Sequence, residues 1–227
     1  MPQVISTAQM RALEKEAIDS GQVSGFELME RAGRGVVDAI FEAWPDLRNA
    51  VPRHATVLAG PGNNGGDGFV ITRLLRDLGW QVDLVAIGSK AGHSDDAQMM
   101  IDLLETSPDF IDPKDVARVG GVEIDSETQL VVDAVFGIGI TRPLGAAFKE
   151  LLCQNMRGLK DRNLPARCVS VDVPSGLDAD SGEPPGGDDG DAFHADLTVT
   201  FHALKPGHTT ETGQRYCGST FVKDIGL

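Results

Sequence analysis

Polar side chains able to do chemistry stand at the ends of three strongly apolar runs. Asn63, Asn64 and Asp67 follow "ATVLAG"; Asp133 ends "LVVD" ahead of Gly137-Ile138-Gly139; Asp172 ends "VSVD" ahead of Pro174-Ser175-Gly176. Carboxyl groups can give and take protons, and carboxylates, amides and hydroxyls together can hold a hard or alkali cation through oxygen. In an open parallel sheet the loops beyond the carboxyl ends of the strands form the ligand crevice, so all three clusters are expected at one edge. Convergence of Asn64, Asp133 and Ser175 suits potassium better than zinc. The competing reading is that an Asp at a strand end caps the next helix.

The first cluster contains the letters Gly60-x-Gly62-x-x-Gly65, the pattern of a nicotinamide-binding loop. A dehydrogenase also needs an acidic residue at the end of the second strand to take the ribose hydroxyls. That end reads Gly88-Ser89-Lys90, and Asp83 lies too early, inside the strand. No Walker lysine is present either, because Gly68 and Phe69 stand where it would be needed. What remains is a loop with many free N–H groups, in which Asp67 either caps a helix expected to start near Phe69 or contacts a ligand. Gly65, Gly66 and Gly68 permit close backbone approach.

The elements that must position these groups follow from periodicity. Ser6-x-x-Gln9 and Ser24-x-x-Glu27 read as capping boxes opening two helices, one with Met10, Leu13, Ala17 and Ile18 at helical spacing before Gly21, the other with Leu28, Met29, Ala32, Val36 and Ile40 before Pro45. From Ala55 onward short β-branched runs alternate with amphipathic stretches. "ATVLAG", "QVDLVAIG", "QLVVDAVFG", "CVSVDVPSG", "DLTVTFHAL" and "STFVKDIGL" read as strands; "FVITRLLRDLG", "SDDAQMMIDLLETS" and "LGAAFKELLCQNM" read as helices. This predicts an α/β protein, a Rossmann-like three-layer αβα sandwich with a mostly parallel central sheet. A single domain over 1–227 is expected, with leading helices over about 6–44 and the core over about 55–227.

Composition excludes several function classes. With 20 basic against 34 acidic residues the net charge is −14, which disfavours nucleic acid and anionic lipid as partners. A small phosphate-bearing ligand stays compatible, since backbone N–H groups at a helix start hold phosphate without a basic patch. Cys153, Cys168 and Cys217 have no zinc spacing and read as packing residues. No run approaches the length of a membrane span, and the chain reads as cytoplasmic. The acidic cluster Asp188, Asp189 and Asp191 in the Gly/Pro/Asp-rich stretch 181–196 reads as a solvated loop. His54, His93, His194, His202 and His208 form no recognised constellation and are expected on the surface or in loops.

Taken together, "GPGNNGGDG", "VVDAVFGIGITRPL", "VDVPSGLDADSGE" and "ADLTVTFHALKPGH" in this order resemble the NAD(P)H-hydrate epimerase family, also called the YjeF N-terminal domain. "STAQMRALEKEAIDSG" and "LMERAG" resemble its leading helices, so the likeness spans nearly the whole chain. The resemblance implies a substrate that is NADH or NADPH hydrated at C6 of the nicotinamide ring. Its R and S epimers would be interconverted so that a separate S-specific dehydratase can repair the cofactor. It further implies a substrate loop of Asn63, Asn64, Gly65, Gly66 and Asp67, a phosphate-facing loop of Gly137, Ile138, Gly139, Ile140, Thr141, Arg142 and Pro143, and Asp172 at the reacting end. Potassium is implied on Asn64, Asp133 and Ser175, and a homodimer is a family expectation.

Asp172 is expected to be the acid–base group, giving and retaking one proton, which requires an environment that raises its pKa. Lys205 in "FHALKPG" is either a surface lysine or a residue that balances ligand charge or orients Asp172, and Arg142 is suited to a phosphate. The reading from another class is a noncatalytic binding or scaffold module, which would be free to lose Asp172 or the Asn-Asn-Gly-Gly-Asp loop; both are retained.

Overall fold

The computed structural model describes residues 3–112, 115, 124–149, 151–152, 166–187 and 192–227. Its centre is a seven-stranded sheet in the order β3-β2-β1-β4-β5-β6-β7. The strands are β1 His54–Ala59, β2 Gln81–Ile87, β3 Phe110–Ile111, β4 Leu130–Ala134, β5 Arg167–Val171, β6 Leu197–Phe201 and β7 Ser219–Lys223. Every neighbouring pair runs parallel. Parallel neighbours need crossover connections, and the helices that supply them cover the sheet, which is why β1, β4 and β6 are buried at every residue.

Alternation along the strands builds two separate cores. Ala55, Val57 and Ala59 of β1, Leu130, Val132 and Ala134 of β4, and Val169 and Val171 of β5 join one cluster. Leu58, Val131 and Cys168, one residue out of phase, join another with Leu151, Leu152 and Phe193. A period of two that feeds two cores is the three-layer arrangement the sequence predicts.

The first core is closed by α1 (Thr7–Asp19), α2 (Gly25–Ala43), α3 (Asn63–Asp77) and α4 (Asp95–Asp102). Both capping boxes form as expected: Ser6 and Gln9 bond each other's backbone N–H groups, as do Ser24 and Glu27. The α2 stripe Leu28, Met29, Ala32, Val36 and Ile40 is buried against the sheet, each large aliphatic side chain contributing about 1.5–3 kcal/mol by leaving water. Helix α1 is tied over the carboxyl edge of the sheet. Thr7 donates its backbone N–H and hydroxyl to Asp180 at 2.9 and 2.6 Å, and the strand-like stretch before it pairs with Leu204.

Several elements depart from expectation. Helix α3 starts at Asn63, six residues before Phe69, so Asn63 to Asp67 are its first turns and Asp67 lies too deep in the helix to cap it. Glycines cost helix stability and suggested a loop; here close packing demands them, since a Cβ on Gly65 would stand 1.9 Å from the Gly60 carbonyl oxygen. The two-residue β3 was too short to show periodicity. Helix α6 (Glu211–Cys217), capped by Thr210 accepting from the Gly213 N–H, is a seven-residue segment without an apolar stripe long enough to read. The helix expected over "LGAAFKELLCQNM" begins as α5 (Ala146–Lys149); Glu150, Cys153 and the three residues after it, and the acidic cluster Asp188, Asp189 and Asp191, lie outside the described residues. No described helix is long and apolar enough to cross a membrane.

Candidate functional site

Strand order reverses between β1 and β4: the chain leaves β1 toward β2 on one side and leaves β4 toward β5 on the other. The connections diverge there and open a crevice beyond the carboxyl ends. A cavity of about 520 Å³ occupies that position, walled by Gly62, Asn63, Asn64 and Asp67, by Val135 to Gly139, by Asp172 and Phe201, and by Arg11 and Glu14 of α1. The three clusters singled out from the sequence therefore meet at one edge.

Asp172 carries the densest set of contacts. Its φ of +66° is unusual for a residue with a side chain and is held by its surroundings. Its backbone N–H donates to the Val199 carbonyl at 2.7 Å, and its own carbonyl faces His208 Nε2 at 3.0 Å. Its carboxylate Oδ1 accepts from Thr200 Oγ1 at 2.9 Å and from Lys205 Nζ at 2.8 Å. Lys205 is fully buried and places its other two ammonium hydrogens on Thr200 Oγ1 and the Phe201 carbonyl. The surface reading of Lys205 is thus excluded and the orienting one stands.

These contacts correct the expected chemistry of Asp172. Burial alone would push its carboxyl up, but the Lys205 ammonium, through its charge and its hydrogen bond, and the Thr200 hydroxyl outweigh burial and hold it below the usual carboxylate range. It is the ionised member of the site, not a half-protonated acid. His208 is neutral: Lys205 N–H donates to Nδ1, leaving Nε2–H for the Asp172 carbonyl, and burial lowers its pKa to about 4.

Asp67 is the opposite case. It is 9% exposed, and burial together with the charges of Asp172 and Glu14 raises its carboxyl well above the ordinary range. Glu14 is raised as well, by burial and by Asp172, with Lys205 and Arg11 opposing.

Asp133 and Ser175 lie beneath the cavity floor. Asp133, fully buried, accepts from Ser175 Oγ at 2.6 Å, the Ser175 N–H at 2.8 Å, Ser170 Oγ at 3.0 Å and, at 3.3 Å, the Val135 N–H. Burial raises its pKa to about 6 against those four bonds. Ser175 Oγ accepts in turn from the Phe136 N–H at 2.8 Å and lies 3.2 Å from the Phe136 carbonyl oxygen. Asn64 stands on the cavity wall beside Gly137, and among the described residues its buried Nδ2 has no hydrogen-bond partner. Asn63 instead accepts from Ser94 Oγ, the cap of α4, at 2.8 Å.

Of the residues expected at the site, Asn63, Asn64, Asp67, Gly137, Ile138, Gly139 and Asp172 line the cavity. Gly65 and Gly66 are buried in α3, Ile140 is buried beyond the cavity wall, and Thr141, Arg142 and Pro143 are exposed past it. The expectation of surface or loop histidines fails for His54, the first residue of β1, and for His208, in a short 3-10 turn; His93 lies in a loop as expected but is buried there. His54 is buried beside β2 with Nε2 2.8 Å from Asp83 Oδ2, and His93 is buried between the Ser89 and Gly60 carbonyls. His208 is buried behind Asp172. Arg11, Glu14, Thr200 and Phe201 were missed altogether. Arg11 and Glu14 sit on the polar side of an ordinary amphipathic pattern, and nothing in one sequence says that this side faces a cleft.

With this geometry in hand, the comparisons with known proteins are specific. The family model of the YjeF-related protein N-terminus matches residues 25–207. The NAD(P)H-hydrate epimerase of Roseobacter litoralis is 42% identical, with both chains covered in full. The bifunctional NAD(P)H-hydrate repair enzyme Nnr of Coxiella burnetii is 34% identical over 96% of this chain and 40% of its own length. The crystal structure of yeast ynu0 superposes with a TM-score of 0.72 at 26% identity, covering 98% of this chain and 88% of that one. On the family match and the full-length relatives together, the chain belongs to the YjeF-related N-terminal family.

Proposed function

We propose that the chain is an NAD(P)H-hydrate epimerase, interconverting the R and S forms of NADH or NADPH hydrated at C6. Full-length likeness to proteins of that name carries the reading. The C6 hydroxyl of the substrate sits on a carbon bonded to ring nitrogen. Loss of that hydroxyl as water lets the nitrogen lone pair form an iminium ion, and water can then return to either face. Asp172 faces this ring as a carboxylate fixed by Lys205 and Thr200, suited to take the proton of the returning water. The β4 loop at Gly137 to Gly139 and the start of α3 offer backbone N–H groups to the substrate's phosphates. A noncatalytic scaffold would have no use for a buried lysine aimed at a cavity-facing carboxylate.

Potassium fits the corner below the ring. Asn64, Asp133 and Ser175 supply the oxygen donors a hard cation prefers. A half-turn of the Asn64 amide puts its carbonyl oxygen in the place of the orphaned nitrogen. When bound, the ion would supply positive charge against Asp133 and tie the start of α3 to the β4 loop. The reading also places the protein in the cytoplasm, working ahead of a separate S-specific dehydratase, with a homodimer as its assembly.

The test is to follow equilibration of purified R- or S-hydrated NADPH by chromatography, with potassium present. Acceleration over the spontaneous rate is expected. Folded protein that gives none would move the assignment to a binding module, and a stoichiometric protein partner would then be sought.

A further inference from the structure

Asp172 answers only half of the chemistry, because an ionised carboxylate can accept a proton but has none to give. We infer that Asp67 is the proton donor of the reaction, set across the same cavity from Asp172 as proton acceptor. The inference rests on the epimerase reading above.

Both carboxyl groups wall the 520 Å³ cavity, but from different elements and with opposite partners. Asp172, at the end of β5, receives Thr200 and the Lys205 ammonium. Asp67, on the second turn of α3, is nine-tenths buried, and no hydrogen bond to its carboxyl forms among the described residues. The groups facing it are acidic: Glu14 from α1, Asp172 itself, and Asp96 of α4 across an adjoining hollow of about 120 Å³. The cations nearby are committed elsewhere. Lys205 lies behind Asp172 with His208, and Arg11 reaches the Ile138 carbonyl at 3.3 Å. A buried carboxyl among like charges and without donors keeps its proton, whereas one against an ammonium loses it. The raised and lowered pKa values of the two groups agree. Two titratable groups whose surroundings drive them apart in this way divide into acid and base.

The Asp67 proton passes to the C6 hydroxyl oxygen, the C6–O bond breaks with its electron pair leaving in water, and the ring nitrogen lone pair forms the C6=N1 bond. Water adds to the opposite face of C6, and the electron pair of that double bond returns to nitrogen. The proton released by the added water goes to Asp172. One proton has then moved from Asp67 to Asp172, and solvent in the cavity returns it, or the other epimer uses the enzyme in reverse. A single carboxyl would have to serve both ring faces; two, on different walls, need not.

Glu14 is the rival donor, since it also lines the cavity and is also raised. It is less buried than Asp67 and has the Arg11 guanidinium as a counter-charge.

The experiment measures kcat and KM for epimerisation with wild type, Asp67→Asn, Asp67→Glu and Glu14→Gln, each verified as folded by near-UV circular dichroism. General acid catalysis is worth about 10²–10⁴-fold. For Asp67→Asn the expected result is a kcat loss of at least about 100-fold with KM changed only a few-fold. Asp67→Glu should recover part of it. The wild-type kcat/KM should fall on the alkaline side as Asp67 ionises, and the residual activity of Asp67→Asn should lack that limb. An Asp67→Asn enzyme with kcat near wild type, or a loss confined to Glu14→Gln, would overturn the assignment and leave the epimerase reading intact. An inert wild type would overturn both.

Discussion

Lys205 Nζ donates to Asp172 Oδ1 at 2.8 Å with the lysine side chain 1% exposed and the aspartate 11%. A lysine this deeply buried is uncommon unless paired, and its three ammonium hydrogens all have acceptors. The pair fixes both the charge and the orientation of the carboxylate that faces the cleft.

Lys205→Met keeps most of the stem packing and deletes the ammonium. Breaking one side of a buried pair costs about 3–5 kcal/mol, and denaturant unfolding should report a loss near the lower end, because Asp172 can protonate. Asp172 is depressed in the folded state, so its contribution is present above its unfolded pKa and lost as pH falls through the folded one. Without Lys205 its folded pKa rises. The acidic limb of the kcat/KM profile should therefore move to higher pH, and kcat should fall at least about tenfold. A variant with the wild-type acidic limb would show that Lys205 does not set the charge of Asp172.

His208 makes stability depend on pH in the other window. Its pKa is about 4 in the fold against 6.5 for an ordinary histidine, so the unfolded chain binds more protons between those values and stability rises with pH across them. Lowering the pH from 7 to 5 should cost about 2 kcal/mol through this residue. His208→Gln should be less stable at pH 7, having lost part of the bonding to Lys205 and Asp172, yet should lose less between pH 7 and pH 5. Parallel stability curves for the two proteins would contradict a buried neutral imidazole.

Sequence reading located the strands and both capped N-terminal helices because their signals are local: period two, period 3.6, and Ser-x-x-Gln or Ser-x-x-Glu boxes. Strand ends also gave Asp133, Asp172 and Asn64, since parallel topology sends every strand's carboxyl end to one edge. The charge state of Asp172 was not legible. It depends on Lys205, thirty-three residues later, being buried rather than exposed. The buried roles of His54, His93 and His208 depend in the same way on carbonyls and carboxylates supplied by other elements. The start of α3 is not legible in the sequence because glycines that weaken a helix in isolation are required where α3 meets the β1 turn.

Two glycines of the crevice should separate stability from activity. A Cβ on Gly60 would stand 2.0 Å from the Val135 carbonyl oxygen, a backbone atom that cannot yield cheaply. Gly60→Ala should destabilise the protein by about 1–3 kcal/mol or more. The atoms nearest to a Cβ on Gly137 would belong to side chains, Asn64 Oδ1 at 3.1 Å and Asp172 Oδ2 at 3.3 Å. Gly137→Ala should fold with nearly the wild-type melting temperature while losing activity, because the added methyl group sits between Asn64 and Asp172. Equal loss of stability in both variants would mean that the Gly137 loop is as rigid as the β1 turn.

The potassium reading makes a prediction independent of turnover. Among the described residues no cationic side chain bonds Asp133, whose partners are two hydroxyls and two backbone N–H groups, and the buried Asn64 Nδ2 has no hydrogen-bond partner. An ion bound there stabilises only the folded chain. At ten times its dissociation constant it adds about 1.4 kcal/mol, or about 3–6 °C in melting temperature for a chain of this size. Potassium chloride should raise the melting temperature above that in sodium chloride at equal ionic strength, because potassium sheds its water more readily for a site of protein oxygens. Asn64→Ala should melt at the same temperature in both salts, since one donor of the set is gone. Identical melting of the wild type in the two salts, across a range of concentrations, would leave Asp133 with the structural task of joining β4 to the Ser175 turn and nothing more.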